Sequence, residues 1–246
     1  MNLQSCPLWS GGVPDFRPEW GQAAPSLTAF PVPGTESAVL ILPGGGYEYK
    51  ADHEGTPIAE RLNRLGISAA VLDYRVSPYR APVPQGDALR AVEVLRGQGC
   101  RRVALLGFSA GAHVAASAAY LGPEGPSRPD AAVLCYPVIT MGAFTHAGSR
   151  DHLLGPDAPD ALRDQWSVEK HIPENAPPAF IWHTADDGAV PVQNSLALAQ
   201  ALAERHIPCE LHIWPHGHHG LGLAEDLPDI GRWPVLAAEW LRRQGF

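Results

Sequence analysis

The chain has 246 residues, of which 45% are hydrophobic, and its formal net charge is −8. This length and apolar content are enough to bury a full core, and we expect one domain over residues 1–246. The acidic balance disfavours nucleic acid as a partner, and no apolar run is long enough to span a membrane.

The first ten residues, MNLQSCPLWS, contain neither a basic region nor an apolar stretch, so no signal peptide is recognisable. The four cysteines show no C-x-x-C spacing, and three of them lie in or beside predicted strands, where free buried thiols are common. Both features favour a reduced, cytoplasmic protein. The sequence leaves a homodimer open and predicts no membrane partner.

The first half of the chain alternates apolar runs with helical patterns. Residues 1–36 are rich in Pro and Gly and contain one predicted edge strand near Leu27–Val32. The remaining elements predicted before residue 100 are strand Ala38–Leu42, helix Thr56–Leu65, strand Ile67–Leu72 and helix Asp87–Leu95.

Three glycines follow the predicted strand Ala38–Leu42, in Pro43-Gly44-Gly45-Gly46-Tyr47. Glycines at such a point let backbone N–H groups approach a ligand closely, as an anion site requires. The alternative is a flexible loop. The position directly after a strand favours an oxyanion loop.

The segment Arg101–Ala118 contains a short apolar run, then Gly107-Phe108-Ser109-Ala110-Gly111, then an Ala-rich helical pattern. A strand that turns sharply into a helix with Ser at the apex is the G-x-S-x-G nucleophile elbow. The glycines avoid clashes of a Cβ with the adjoining strand and helix. We therefore predict that Ser109 is a nucleophile, against the alternative of a structural turn serine.

The second half continues the alternation. We predict strands Ala131–Tyr136, Phe180–His183 and Glu210–Trp214, and helices Gln193–His206 and Trp233–Arg243. Residues 141–177 are rich in Pro, Asp and Gly without a sustained period, which favours a small cap over the site. Strands alternating with helices predict an α/β fold with a mostly parallel sheet covered on both faces.

Candidate partners for Ser109 follow two of these strands, at the edge of the sheet where chemistry gathers in such folds. Asp186 and Asp187 follow one strand, and His216, His218 and His219 follow the last one. The order Ser, acid, His matches α/β-hydrolases. The alternatives are a turn aspartate, a solvated polar turn, and metal binding by these histidines with His212, whose spacing fits no familiar zinc pattern. His113 is expected to be a packed helix residue.

Several motifs together resemble the α/β-hydrolase esterases of the hormone-sensitive-lipase and acetyl-xylan-esterase-like group. The motifs are Pro7-Leu8-Trp9, PGGGY at 43–47, Asp73-Tyr74-Arg75, GFSAGAH at 107–113, HTADDGAVP at 183–191 and HGHHGLGLA at 216–224. The resemblance implies an α/β-hydrolase fold with Asp187 as the acid and His219 as the base. Lipase-like members carry His before the glycines, where this chain has Pro43 as in the carbohydrate-esterase-like branch.

The resemblance also implies a mechanism and a substrate class. Ser109, His219 and Asp187 are expected to form a triad that hydrolyses a small-molecule short-chain ester, with acetyl as the expected acyl group, through an acyl-enzyme. The oxyanion would be held by backbone N–H groups of Gly45, Gly46 and Ala110. No metal or organic cofactor is expected. A serine peptidase or amidase resembling arylformamidase, a thioesterase and a non-catalytic binding module are the alternatives.

Overall fold

The computed structural model describes residues 4–246, and its centre is an eight-stranded sheet. The strands are β1 Gln4–Pro7, β2 Ser26–Phe30, β3 Ser37–Leu42, β4 Ala69–Asp73, β5 Arg102–Phe108, β6 Ala131–Cys135, β7 Ala179–Thr184 and β8 Cys209–Trp214. Their spatial order is β1-β2-β4-β3-β5-β6-β7-β8. The strands from β4 to β8 run parallel, and β2 pairs antiparallel with β1 and with β4. The predicted mostly parallel sheet is confirmed.

Helices cover both faces of this sheet, as predicted. They are α1 Thr56–Arg64, α2 Val83–Gly97, α3 Ala110–Tyr120, α4 Ala147–Leu154, α5 Asp160–Gln165, α6 Gln193–Glu204 and α7 Trp233–Arg243. Side chains of β3 alternate between two apolar cores, with Leu40 in one and Val39 and Ile41 in the other. The first core also contains buried residues of α2, α3 and α6, and the second contains those of α1 and α7. This alternation is the period-2 pattern of a strand buried on both faces. None of the helices in the described part of the chain is long and apolar enough to cross a membrane.

The prediction that the strand near Leu27–Val32 forms an edge of the sheet was wrong. That strand is β2, and β1 lies outside it. β1 has only four residues and ends in Pro7, so it lacks an apolar alternation by which to recognise it. Its pairing partner is about twenty residues away, and a local pattern does not contain that information.

Helix α2 begins four residues earlier than predicted, at Val83 rather than Asp87. Pro84 and Gly86 resemble helix breakers in the sequence. Pro84 lies in the first helical turn, where the missing N–H costs nothing because it would have no partner in the helix.

The segment 141–177 contains α4, α5 and a short 3-10 turn at Val168–Lys170. These helices have eight and six residues, which is too short for a helical period to show in the sequence. Met141, Leu153 and Ile172 are buried in the same core as β3 Leu40. The assignment of this segment as a cap insertion, and of the chain as one domain, stays a prediction.

Candidate active site

Ser109 lies at a sharp turn between β5 and α3 and has the positive backbone angle φ of 51° expected of a nucleophile elbow. Its N–H donates to Cys135 O at 3.0 Å, which ties the turn to the end of β6. A Cβ at Gly107 would overlap Gly111 O, and a Cβ at Gly111 would overlap Leu42 O. The close approach of three backbone segments therefore requires glycine at both positions.

A continuous chain of hydrogen bonds joins the three predicted residues. The Ser109 hydroxyl lies 2.7 Å from His219 Nε2, and His219 Nδ1 lies 2.7 Å from Asp187 Oδ2. A carboxylate oxygen can only accept, so the proton on the ring belongs to Nδ1, and Nε2 accepts from the serine hydroxyl. An imidazole in this tautomer can take the hydroxyl proton while the carboxylate stabilises the resulting imidazolium.

Four groups hold the Asp187 carboxylate. Oδ1 accepts from the N–H groups of Ala189 and Val190, both at 2.9 Å, and Oδ2 lies 2.7 Å from His219 Nδ1 and 3.4 Å from His183 Nε2. Burial alone would raise the pKa of Asp187, but the close His183 ring and the hydrogen bonds from His219 and Val190 N outweigh it and hold that pKa well below its ordinary value. Asp187 is therefore a negatively charged carboxylate when the His219 ring takes up the proton of Ser109.

The glycine loop lies beside Ser109. Gly45 and Gly46 line the same cavity as Ser109 and His219, and Gly45 has a φ of 125° that L-residues rarely adopt. A Cβ at Gly45 would also overlap Tyr49 O. Within residues 4–246, the N–H groups of Gly45, Gly46 and Ala110 have no hydrogen-bond acceptor. Ala110 is the first residue of α3, where N–H groups lack intrahelical partners and favour negative charge.

The cavity above Ser109 has a volume of about 280 Å³. Eight of its thirteen lining residues have polar side chains, and the lining consists of Gly45, Gly46, Glu48, Tyr49, Ala51, His53, Glu54, Ser109, His146, Gly148, His152, His219 and Gly220. None of these described lining residues is Leu, Ile, Val, Met or Phe. Helix α4 contributes His152, whose Nδ1 donates to Gly46 O at 2.9 Å and so braces the glycine loop.

The other candidates lie outside the hydrogen-bond chain. His216 Nδ1 donates to Asp186 Oδ2 at 2.9 Å, and this pair is exposed, unlike the pair of His219 with the adjacent Asp187. His218 Nδ1 donates to the backbone oxygen of His219, and His212 contacts Glu210. Among the residues that the structure describes, no group of three or more His, Cys, Asp and Glu is arranged to hold a metal ion.

His113 is packed inside the molecule, as expected. It is fully buried and bonded at both ring nitrogens, to the Tyr47 hydroxyl at 2.7 Å and to Trp166 O at 2.9 Å. Burial lowers the pKa of His113 to about 4, so the ring is neutral and links the glycine loop, α3 and the segment after α5.

Sequence reasoning did not select Glu54, Tyr136 or His146, although all three lie at or beside the site. Tyr136 packs edge-on against the His219 ring at a centroid distance of 5.0 Å, and its hydroxyl donates to Glu54 at 2.6 Å. Tyr136 directly follows β6, and that position at the carboxyl end of a strand was the one available signal. Glu54 lies in a short 3-10 turn and His146 directly precedes α4, and at such positions Glu and His are usually solvated.

Comparison with known proteins places the chain in a family. The sequence profile of a family described as alpha/beta hydrolase fold matches residues 39–223, about three quarters of the chain. The chain is 38% identical over 210 residues to endo-1,4-beta-xylanase B of Butyrivibrio fibrisolvens, which covers 76% of this chain and 33% of that protein. It is 31% identical over 215 residues to the acetylxylan esterase of Xylanibacter ruminicola, covering 80% of this chain and 45% of that protein. The chain thus spans less than half the length of these curated relatives.

Two solved structures superpose on nearly the whole length of this chain. An acetyl ester-xyloside bifunctional hydrolase from Caldicellulosiruptor lactoaceticus superposes with a TM-score of 0.93 at 39% identity, covering 99% of this chain and 97% of the other. The carboxylesterase Cest-2923 from Lactobacillus plantarum superposes with a TM-score of 0.83 at 26% identity, covering 100% and 98%. With the profile match and these superpositions, the chain belongs to the α/β-hydrolase fold family.

Proposed function

We propose that this protein is a serine carboxylic-ester hydrolase that removes short acyl groups, acetyl above all, from polar alcohols such as sugars. The observation that carries the proposal is the hydrogen-bond chain from Ser109 Oγ through His219 to Asp187, next to backbone N–H groups that have no acceptor in the described part of the chain. The likeness to an acetylxylan esterase and to an acetyl ester-xyloside hydrolase supports the same reaction class.

In the first half of the proposed reaction, Ser109 Oγ attacks the ester carbonyl carbon while its proton passes to His219 Nε2. The carbonyl electrons move onto the oxygen, and N–H groups of Gly45, Gly46 and Ala110 are the donors available to that oxyanion. Asp187 stabilises the imidazolium that forms. The alcohol then leaves with the proton from His219, and the acyl group remains on Ser109.

In the second half, a water molecule takes the place of the alcohol. His219 accepts a proton from this water as its oxygen attacks the acyl-enzyme, and the same donors hold the second oxyanion. Collapse returns the proton to Ser109 Oγ and releases the carboxylic acid. The transfers between Ser109 and His219 link groups that lie 2.7 Å apart in the resting site, so neither side chain needs a large rearrangement.

The size and polarity of the cavity support the substrate class. A volume of about 280 Å³ without a large aliphatic side chain in its lining offers no groove for a long acyl chain. A buried CH₂ is worth about 0.8 kcal/mol only where apolar surface receives it. Polar side chains and the exposed Tyr49 ring suit an alcohol with several hydroxyl groups.

We expect kcat/KM for p-nitrophenyl esters to be highest from acetyl to butyryl and to fall by octanoyl. The reason is that each added CH₂ meets polar groups or solvent instead of an apolar wall. Steady-state kinetics over the ester series, with the matching anilide and formanilide as amide controls, checks this. A profile that rises through decanoyl would overturn the short-acyl proposal, and faster amide cleavage would indicate the amidase instead.

His146 offers a specific contact to the alcohol. Its Nδ1 accepts from the Ser149 N–H at 3.2 Å and lies 2.8 Å from the Ser149 hydroxyl. With Nδ1 as the acceptor of the N–H the ring proton lies on Nε2, and no acceptor for it is found in residues 4–246. The ring lies against Gly46, with Cε1 3.9 Å from the position of a Cβ on that glycine. Burial, and then the nearby His219, lower the pKa of His146, so the ring is a neutral hydrogen-bond donor at the cavity wall.

His146→Asn separates this contact from the chemistry. Asn caps a helix start as well as His does, so α4 keeps its acceptor for Ser149 N, but the reach of the ring is lost. We expect kcat/KM for an acetylated xyloside to fall by about tenfold, the size of one lost hydrogen bond, while p-nitrophenyl acetate changes by less than about threefold. An equal fall on both esters would remove His146 from alcohol recognition.

A further inference from the structure

Among the residues that the structure describes, Glu54 is the one buried acidic side chain near the site for which the proposed reaction has no role. It is 2% exposed and lies in a 3-10 turn, Asp52–Glu54, just before α1. Both carboxyl oxygens are engaged. Oε2 accepts from the Gly44 N–H at 2.7 Å, and Oε1 accepts from the Tyr136 hydroxyl at 2.6 Å. Through these two hydrogen bonds, the buried carboxyl group of Glu54 links two segments that are distant in sequence.

The first of these segments is the glycine loop. A Cβ at Gly44 would lie 2.7 Å from Glu54 Oε2 and 3.1 Å from Ser109 Cβ, so Gly44 fills the space between the carboxylate and the nucleophile. Gly44 O accepts from Ala51 N at 3.0 Å, which fastens the loop to the same turn on its other side. The Glu54 carboxylate therefore holds Gly44, the residue directly before Gly45 and Gly46, beside Ser109.

The second segment is the loop that carries the histidine. The Tyr136 hydroxyl that donates to Glu54 also accepts from Gly222 N at 2.9 Å, and the Tyr136 ring contacts the ring of His219. His53, next to Glu54, donates from Nε2 to Gly220 O at 2.9 Å. The turn thus holds the residue directly after His219 and, through Tyr136, the residue three positions after it.

We infer that Glu54 is a positioning residue that fixes the separation between the glycine loop and the loop that carries His219. It acts on the first through Gly44 and on the second through Tyr136. The inference rests on the proposed esterase function. A misplacement of about 1 Å between reacting groups costs up to about 100-fold in rate, so small displacements of either loop matter. Among the described residues, the side-chain hydrogen bonds of Glu54 go to Gly44 and Tyr136 and not to the triad, so its effect is on geometry.

The test uses Glu54→Gln, Tyr136→Phe and the double variant, with Asp52→Asn as the matched control. Gln has the shape of Glu but only one acceptor oxygen. If that oxygen keeps the Gly44 N–H, the amide NH₂ faces the Tyr136 hydroxyl, which already accepts from Gly222 N and then loses the acceptor for its own proton. Asp52 is an exposed carboxylate in the same turn. We expect kcat on p-nitrophenyl acetate to fall by about 10- to 100-fold in Glu54→Gln with KM within about threefold. Asp52→Asn should stay within about twofold of the parent protein.

Coupling distinguishes positioning from general damage to the fold. Since Glu54 and Tyr136 act in one chain of contacts, the double variant should be no slower than the worse single variant by more than about twofold. A kcat for Glu54→Gln within twofold of the parent, or effects of the two substitutions that simply multiply, would overturn the inference. If Glu54→Gln does not fold, Tyr136→Phe alone decides, since it keeps the ring and should lower kcat by at least about threefold. Failure of the proposed function is recognised separately, by a parent protein that does not hydrolyse the ester.

Discussion

Ser109→Ala should lower kcat/KM for p-nitrophenyl acetate by about 10⁵- to 10⁶-fold, the loss seen when the nucleophile of a triad is removed. The Ser109 hydroxyl lies 2.7 Å from His219 Nε2 and is able to form a covalent bond to the substrate. The residual rate would come from the oxyanion donors and from substrate binding, which the substitution leaves in place.

The same substitution should change stability little. Ala replaces Ser at a φ of 51°, so the backbone strain is unchanged, and only one side-chain hydrogen bond is lost. Ser117→Ala is the matched control, because it removes a buried hydroxyl from α3, the helix that follows Ser109, where that hydroxyl donates to His113 O. The control should keep activity within about twofold. Thermal unfolding and labelling with a fluorophosphonate complete the measurement, and an active or labelled Ser109→Ala protein would end the serine-hydrolase proposal.

The elbow and the sheet were predictable because their determinants are local. An apolar run, two glycines and an Ala-rich helix define the elbow within twenty residues, and the structure has β5, Ser109 and α3 in that order. The closing helix Trp233–Arg243 has the predicted bounds, because its apolar spacing is regular. Such elements carry their own signal in the sequence.

The features that the sequence did not reveal depend on contacts between distant segments. In the sequence, Glu54 stands among polar residues and has the pattern of a solvated side chain. Only the fold brings it to Gly44 and to Tyr136, which lies 82 positions further along the chain. β1 is a strand only because β2 pairs with it. The choice between Asp186 and Asp187 is of the same kind, since two adjacent aspartates cannot be distinguished by local pattern and only the family resemblance selected one.

The structure separates these two aspartates sharply. Asp187 is buried and bonded to His219, whereas Asp186 is about half exposed and is bonded to the exposed His216 and to Gly217 N. One of these adjacent side chains is therefore held in the interior against His219, and the other lies at the surface. An exposed charge pair contributes little to stability or to a buried site.

Asp187→Asn should therefore lower kcat by about 10⁴-fold, and Asp186→Asn by no more than about threefold. In Asp187→Asn the amide oxygen keeps the N–H groups of Ala189 and Val190, so its NH₂ faces His219 Nδ1. The ring then accepts at Nδ1 and carries its proton on Nε2, which leaves no acceptor for the proton of Ser109. The two variants differ by one position and by the same chemical change, so steady-state kinetics on p-nitrophenyl acetate compares them directly. If Asp186→Asn were the inactive variant, the acid of the triad would have to be reassigned to the exposed pair with His216.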